Sequence, residues 1–154
     1  MKKRYDWAKK YVSWTVEDWR KVLSSDESHF LVQGQRSRFV RKSDNEKLTT
    51  AHIDQTVKHP LKKMFWGCFS YKGTGCLVPI EGMMNSQKYR DLLEHRLEAE
   101  IRKVDANGQA VFQQDSAPCH VSKIMMKYFK DKKISCLEWP GNWTLIRLKI
   151  CGLL

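Results

Sequence analysis

Two aspartates stand where a carboxylate could do chemistry, Asp26 in SSDESHF and Asp115 in VFQQDSAPCH. Each follows residues whose alternation predicts a strand, inside or beside apolar neighbours where an unpaired carboxylate is costly. Two such acids on neighbouring strands can hold Mg²⁺ or Mn²⁺ through oxygen ligands. A two-metal site of that kind activates water or a 3′-hydroxyl and stabilises the leaving oxygen in phosphodiester chemistry. Spacing alone favours a plainer use, in which each Asp caps a turn or a helix. His120, next to Cys119 and close after Asp115, could support such a site, although a hydrogen-bonded histidine at a helix start is the commoner use. Zinc is the rival from another class, with Cys68, Cys76, Cys119 and His120 as candidate ligands. It is disfavoured, because adjacent Cys and His cannot easily chelate one ion and no CxxC pair exists.

The elements that must position these residues follow from periodicity. Trp7, Ala8, Tyr11 and Val12 fall at helical spacing, and Thr15 with Asp18 resembles a capping box opening a short second helix through Trp19. The segments 22–30, 39–40, 64–70 and 76–80 then read as strands, separated by Gly34, the Asn45 region and a hairpin turn at Gly73 and Gly75. From Asn85–Ser86 a helix carries Tyr89, Leu92, Leu93, Leu97, Ile101 and Val104 on one apolar face, ending at Asn107–Gly108. A strand over 110–114, a helix with Val121, Ile124, Met125, Tyr128 and Phe129 on one side, and a strand over 134–137 complete the pattern. A meander followed by helix, strand, helix, strand predicts an α/β fold, a mixed sheet covered by helices.

Composition narrows the partner. The 154 residues suit one domain, and 42% hydrophobic content with six Trp marks a globular chain. A net charge of +11 favours a polyanion, most often nucleic acid. The clusters KKR at 2–4, RSRFVRK at 36–42 and KDKK at 130–133 could meet phosphates, and a solvated face explains any one of them equally well. No apolar run is long enough for a signal peptide or a membrane span, so no membrane role is expected. Five irregularly spaced cysteines fit free thiols, used in packing, in a reducing compartment.

Four strings in order, WTVEDWRKVLSSDESHF, MFWGCFSYKGTGCLVPIEGMMNSQKY, VFQQDSAPCHVSK and LEWPGN, resemble the catalytic region of Tc/mariner-superfamily transposases over roughly residues 4–142. The resemblance implies an RNase H-like fold, a mixed sheet with flanking helices. It also implies an enzyme that cuts and joins DNA with three acids holding two Mg²⁺ or Mn²⁺ ions. Asp26 matches the first acid, Asp115 the second, and His120 a motif position beside them. By the same resemblance, residues 1–20 are a helical lead-in and 21–142 the catalytic core. DNA is the implied partner, the nucleus the implied location, and a homodimer the implied state of the intact parent.

Two departures follow from the same comparison. The family carries helix-turn-helix DNA-binding domains before this region, whereas Met1 already stands at its start, so recognition of transposon ends is expected to be absent. After WPGN the family continues with a Ser-Pro-Asp-Leu-Asn-Pro-Ile-Glu-like segment whose last acid completes the triad. Residues 143–154 read WTLIRLKICGLL instead, without Asp or Glu, leaving the fold incomplete at its C-terminal end. The genetic code suggests why. Trp143 and Thr144 require TGG followed by ACN, which contains the Asp codon GAC in another frame, and codons allowed for Leu145 through Gly152 can spell the rest of the motif. A frameshift after Asn142 is therefore expected, giving a transposase fragment that is expected to be inactive because the third acid is missing. The alternative is a non-catalytic fragment that binds nucleic acid independently of sequence.

Overall fold

A computed structural model describes residues 2–31, 61–107 and 109–140. Helices α1 (Lys2–Tyr11) and α2 (Val16–Arg20) lead into strand β1 (Val22–Leu31), followed by β2 (Lys62–Ser70) and β3 (Gly73–Ile80). Helix α3 (Ser86–Val104), strand β4 (Val111–Gln113), helix α4 (Lys123–Asp131) and strand β5 (Ser135–Cys136) complete the order. The sheet runs β3-β2-β1-β4-β5. The β1–β2 and β2–β3 pairs are antiparallel, and β1–β4 and β4–β5 are parallel. This is the expected mixed sheet with flanking helices.

Local chemistry explains the elements. Thr15 and Asp18 form the capping box that starts α2, each satisfying a backbone N–H of the other. Asn85 caps α3 by accepting from the Lys88 N–H at 2.9 Å, and Ser122 caps α4 through the Met125 N–H. Along α3, Tyr89, Leu93, Leu97, Ile101 and Val104 recur every three or four residues, and all are buried. They pack on Leu23, Trp66, Cys68, Ile80 and Phe112 of the sheet, with Met125 and Tyr128 from α4 closing the core. In β1, alternation turns Leu23 and Ser25 toward this core and Ser24 and Asp26 to the other side.

Four expectations change. Val12 lies past the end of α1 and is exposed, so that helix packs through Trp7 and Tyr11, whose rings join Trp14, Trp19 and Trp139 in an aromatic cluster. Val121 precedes α4, and both it and Ile124 are exposed; the helix turns Met125 and Tyr128 inward. The β2–β3 turn is Tyr71–Lys72, followed by Gly73 at φ 126°, while Gly75 lies inside β3. Asp26 is mid-strand rather than at a strand end, because β1 continues to Leu31. The short strand expected at 39–40 and the tail 143–154 lie outside the described residues.

Candidate active site

Strand register puts the two aspartates the same number of residues past one aligned pair. The parallel β1–β4 pairing aligns Val22 with Val111, Leu23 with Phe112 and Ser24 with Gln113. Asp26 and Asp115 each come two residues after that last aligned pair, Asp26 still within β1 and Asp115 just beyond the end of β4. Asp26 is half-buried in β1 opposite Gly67 of β2, and its Oδ1 accepts from the Glu27 N–H at 2.9 Å. Asp115 stands just past β4, where no ladder holds the backbone, and is fixed by its own side chain instead: Oδ1 accepts from the Ala117 N–H at 2.9 Å.

His120 ties Asp115 down. Its Nδ1 lies 2.6 Å from Asp115 Oδ1, and its ring stacks on Tyr89 with centroids 4.1 Å apart. Nε2 lies 3.3 Å from Glu27 Oε1, close enough for charge attraction but off the line of a hydrogen bond. The imidazole is 3% exposed. Burial alone would push its pKa down; the carboxylates of Asp115 and Glu27 outweigh burial and raise it to about 10. The ring is therefore an imidazolium at neutral pH, with a proton on each nitrogen facing a carboxylate. In return the His120 hydrogen bond, with help from the Ala117 N–H, holds the Asp115 carboxyl below its ordinary range against the opposing effect of burial.

A polar layer lies beneath. Tyr89, fully buried in α3, donates its hydroxyl to Gln114 Oε1 at 2.8 Å, and Gln114 Nε2 donates to the His120 carbonyl at 3.3 Å. Ser25 Oγ donates to the Gln113 carbonyl, crossing from β1 to β4. Tyr89 and Gln114 thus tie α3 to the segment that carries His120, the residue that holds Asp115.

The structure brings Asp115 and His120 into direct contact and sets Asp26 on the adjacent strand. The plain capping use holds in part for Asp115, which does accept a local N–H, yet its main partner is His120. The four-residue zinc set does not assemble: His120 is engaged by carboxylates, and Cys119 joins no cluster of metal-binding groups among the described residues. Glu27 and Tyr89 were missed from sequence. Glu27 was legible in principle, since alternation from buried Leu23 and Ser25 puts an acid at 27 on the helix-covered face, where it needs a cation.

Relatives share this arrangement of elements. No family model matches the chain. Transposable element Tcb1 transposase of Caenorhabditis briggsae is 34% identical over 143 residues, 92% of this chain and 52% of the relative. Transposable element Tc1 transposase of Caenorhabditis elegans is 31% identical over 141 residues, 90% of this chain and 51% of the relative. The chain is a homologue of the Tc-type transposases. It spans about half the length of the Tc-type transposases it matches. Among solved structures, a pre-cleavage Mos1 transpososome superposes with a TM-score of 0.76 at 12% identity, covering 99% of this chain and 49% of that one. The catalytic domain of Mos1 mariner transposase gives 0.64 at 11% identity, over 99% and 68%. At such identities the likeness speaks to the fold, which is the RNase H-like one that the Tc/mariner resemblance implies.

Proposed function

We propose that this chain is the catalytic core of a Tc/mariner-type transposase, with Asp26 and Asp115 as two of the acids that hold Mg²⁺ or Mn²⁺ beside a DNA phosphate. The observation that carries the proposal is the register: Ser24 pairs with Gln113, so both aspartates lie the same distance further along parallel neighbours. The donors fit a hard cation, since both are carboxylates and half-buried, and Asp115 meets the Ala117 N–H and His120 through Oδ1. A divalent ion there would activate water or a 3′-hydroxyl and stabilise the leaving oxygen. Solved Mos1 relatives include paired-end complexes with Mg and with Mn, which supports divalent-ion use and DNA as partner.

The chain's own residues have separable roles in this reading. Asp115 binds the cation as a carboxylate kept ionised by His120. His120 is a positioning residue, with its second proton turned toward Glu27. The charge of +11 supplies attraction to the DNA backbone that carries no sequence preference. In this reading residues 1–20 serve as lead-in and 21–142 as core, and a DNA target fits a nuclear location. Paired-end assemblies of relatives support a homodimer for the intact parent. Residues 143–154 contain no Asp or Glu, so they do not supply the third acid that the Tc/mariner triad needs.

The charge also favours the second reading, a fragment that binds nucleic acid without chemistry. Supercoiled plasmid with Mn²⁺ separates the two. Restoring the frame after Asn142 should supply a Glu near position 150 and give nicking that Asp26→Ala abolishes. A frame-restored protein that binds plasmid but never nicks it would favour the non-catalytic reading.

A further inference from the structure

We propose that Cys68, Cys76 and Glu100 form a binding site for one thiophilic divalent cation, of the Zn²⁺ type, on the helix-covered face of the sheet. The site is separate from the aspartates and does not depend on the function proposed for them. It is built by three elements. The β2–β3 ladder pairs Gly67 with Leu77 and Phe69 with Thr74, so that Gly75 and Cys76 together oppose the single residue Cys68. Two residues against one is a bulge, which re-aims side chains out of simple alternation. Here it brings the two thiols together, with sulfurs 4.0 Å apart. Glu100 reaches in from α3, eleven residues and about 16 Å along that helix from Tyr89.

The dimensions suit an ion rather than a covalent bridge. Two sulfurs at about 2.3 Å from a tetrahedral zinc lie about 3.8 Å apart. A disulfide needs about 2.05 Å. The ligand atoms of Cys68, Cys76 and Glu100 all lie within 4.8 Å of one another. Gly75 supplies the space: a Cβ there would stand 2.5 Å from Cys68 Sγ and 2.6 Å from Glu100 Oε2. Any other residue would press into the cluster.

Charge points the same way. Glu100 is 5% exposed, an unusual position for a carboxylate on an amphipathic helix, and Lys103 Nζ donates to it at 2.7 Å. Two thiolates and a carboxylate carry three negative charges, which a divalent ion and the Lys103 ammonium neutralise. A buried ionic cluster needs that balance. Three protein ligands leave one tetrahedral position for water. The ion would clip edge strand β3 to β2 and to the far end of α3, stabilising the fold by mass action.

Cobalt(II) titration of the reduced protein tests the site, because thiolate-bound tetrahedral Co²⁺ gives intense near-ultraviolet and visible absorption. One Co²⁺ per chain with thiolate bands, displaced by Zn²⁺, is expected. Cys68→Ser, Cys76→Ser and Gly75→Ala should each weaken Co²⁺ binding by more than the roughly 10–100-fold that outer-sphere changes cost. Circular dichroism confirms that each variant folds, and Cys76, only partly buried, should tolerate serine. Exposed Cys136→Ser and the active-site variant Asp115→Ala should leave the bands unchanged. Wild-type protein without thiolate–Co²⁺ bands, or bands that persist in folded Cys76→Ser, would overturn the proposal. Loss of bands in Asp115→Ala would overturn its independence from the aspartates.

Discussion

Replacing His120 by glutamine should flatten the mildly alkaline limb of the stability curve. In the folded protein His120 is raised to about 10 from its ordinary 6.5 by Asp115 and Glu27, which together outweigh its burial. A raised histidine contributes stability that is complete below its unfolded value and is lost as pH climbs through its folded value. The window is therefore 6.5 to about 10. Between pH 7.5 and 8.5 the folded state holds nearly one more proton than the unfolded chain, so stability should fall by about 1.3 kcal/mol. The thiols of Cys68, Cys76 and Cys136, raised from 9.0 by burial, add a smaller slope of the same sign to both proteins, so the difference between wild type and variant isolates His120. Urea unfolding at both pH values, on wild type and His120→Gln, measures the difference. The variant lacks a titrating group at this position and should lose about 1.3 kcal/mol less than wild type over that unit. A wild-type slope near zero, or equal slopes in both proteins, would refute an imidazolium bridging Asp115 and Glu27.

Other consequences are open to simple measurement. Leu97→Ala removes a fully buried side chain from the α3 face and should cost about 2–5 kcal/mol in urea unfolding. Thr15→Ala breaks the capping box of α2 and should cost roughly 1 kcal/mol by the same assay, a loss that Thr15→Ser largely avoids. Binding to random duplex DNA should weaken steeply between low and physiological salt, since each neutralised phosphate releases counterions; strong preference for one inverted repeat over random duplex would contradict sequence-independent binding.

Much of the fold was legible because its elements carry strong periodic signals. The α3 stripe from Tyr89 to Val104 and the Asn85 cap are local features, and local chemistry decides them. The two aspartates were legible from residue type and from the strings around them. Sequence did not reveal what supports Asp115, because Glu27, Tyr89 and Gln114 come from three separate elements and meet only through the sheet register and the packing of α3. The error at α4 has a physical source as well. Val121 and Ile124 continue an apolar pattern, but Ser122 caps the helix, so the buried stripe begins at Met125. Cysteine spacing, without a CxxC pair, likewise argued against a metal site, whereas a bulge that no periodicity announces brings Cys68 and Cys76 together beside Glu100.

The central claim is that Asp26 and Asp115 share a divalent cation, and Mn²⁺ titration followed by the electron paramagnetic resonance signal of free Mn²⁺ tests it most directly. Mn²⁺ prefers oxygen ligands, so the thiol cluster should not compete. Wild type should bind weakly, because two carboxylates leave most of the coordination shell to water. Asp26→Ala and Asp115→Ala should each abolish that binding, and the double variant should lose no more than either alone. Single variants that both bind Mn²⁺ as wild type does would show that the two aspartates do not form one site.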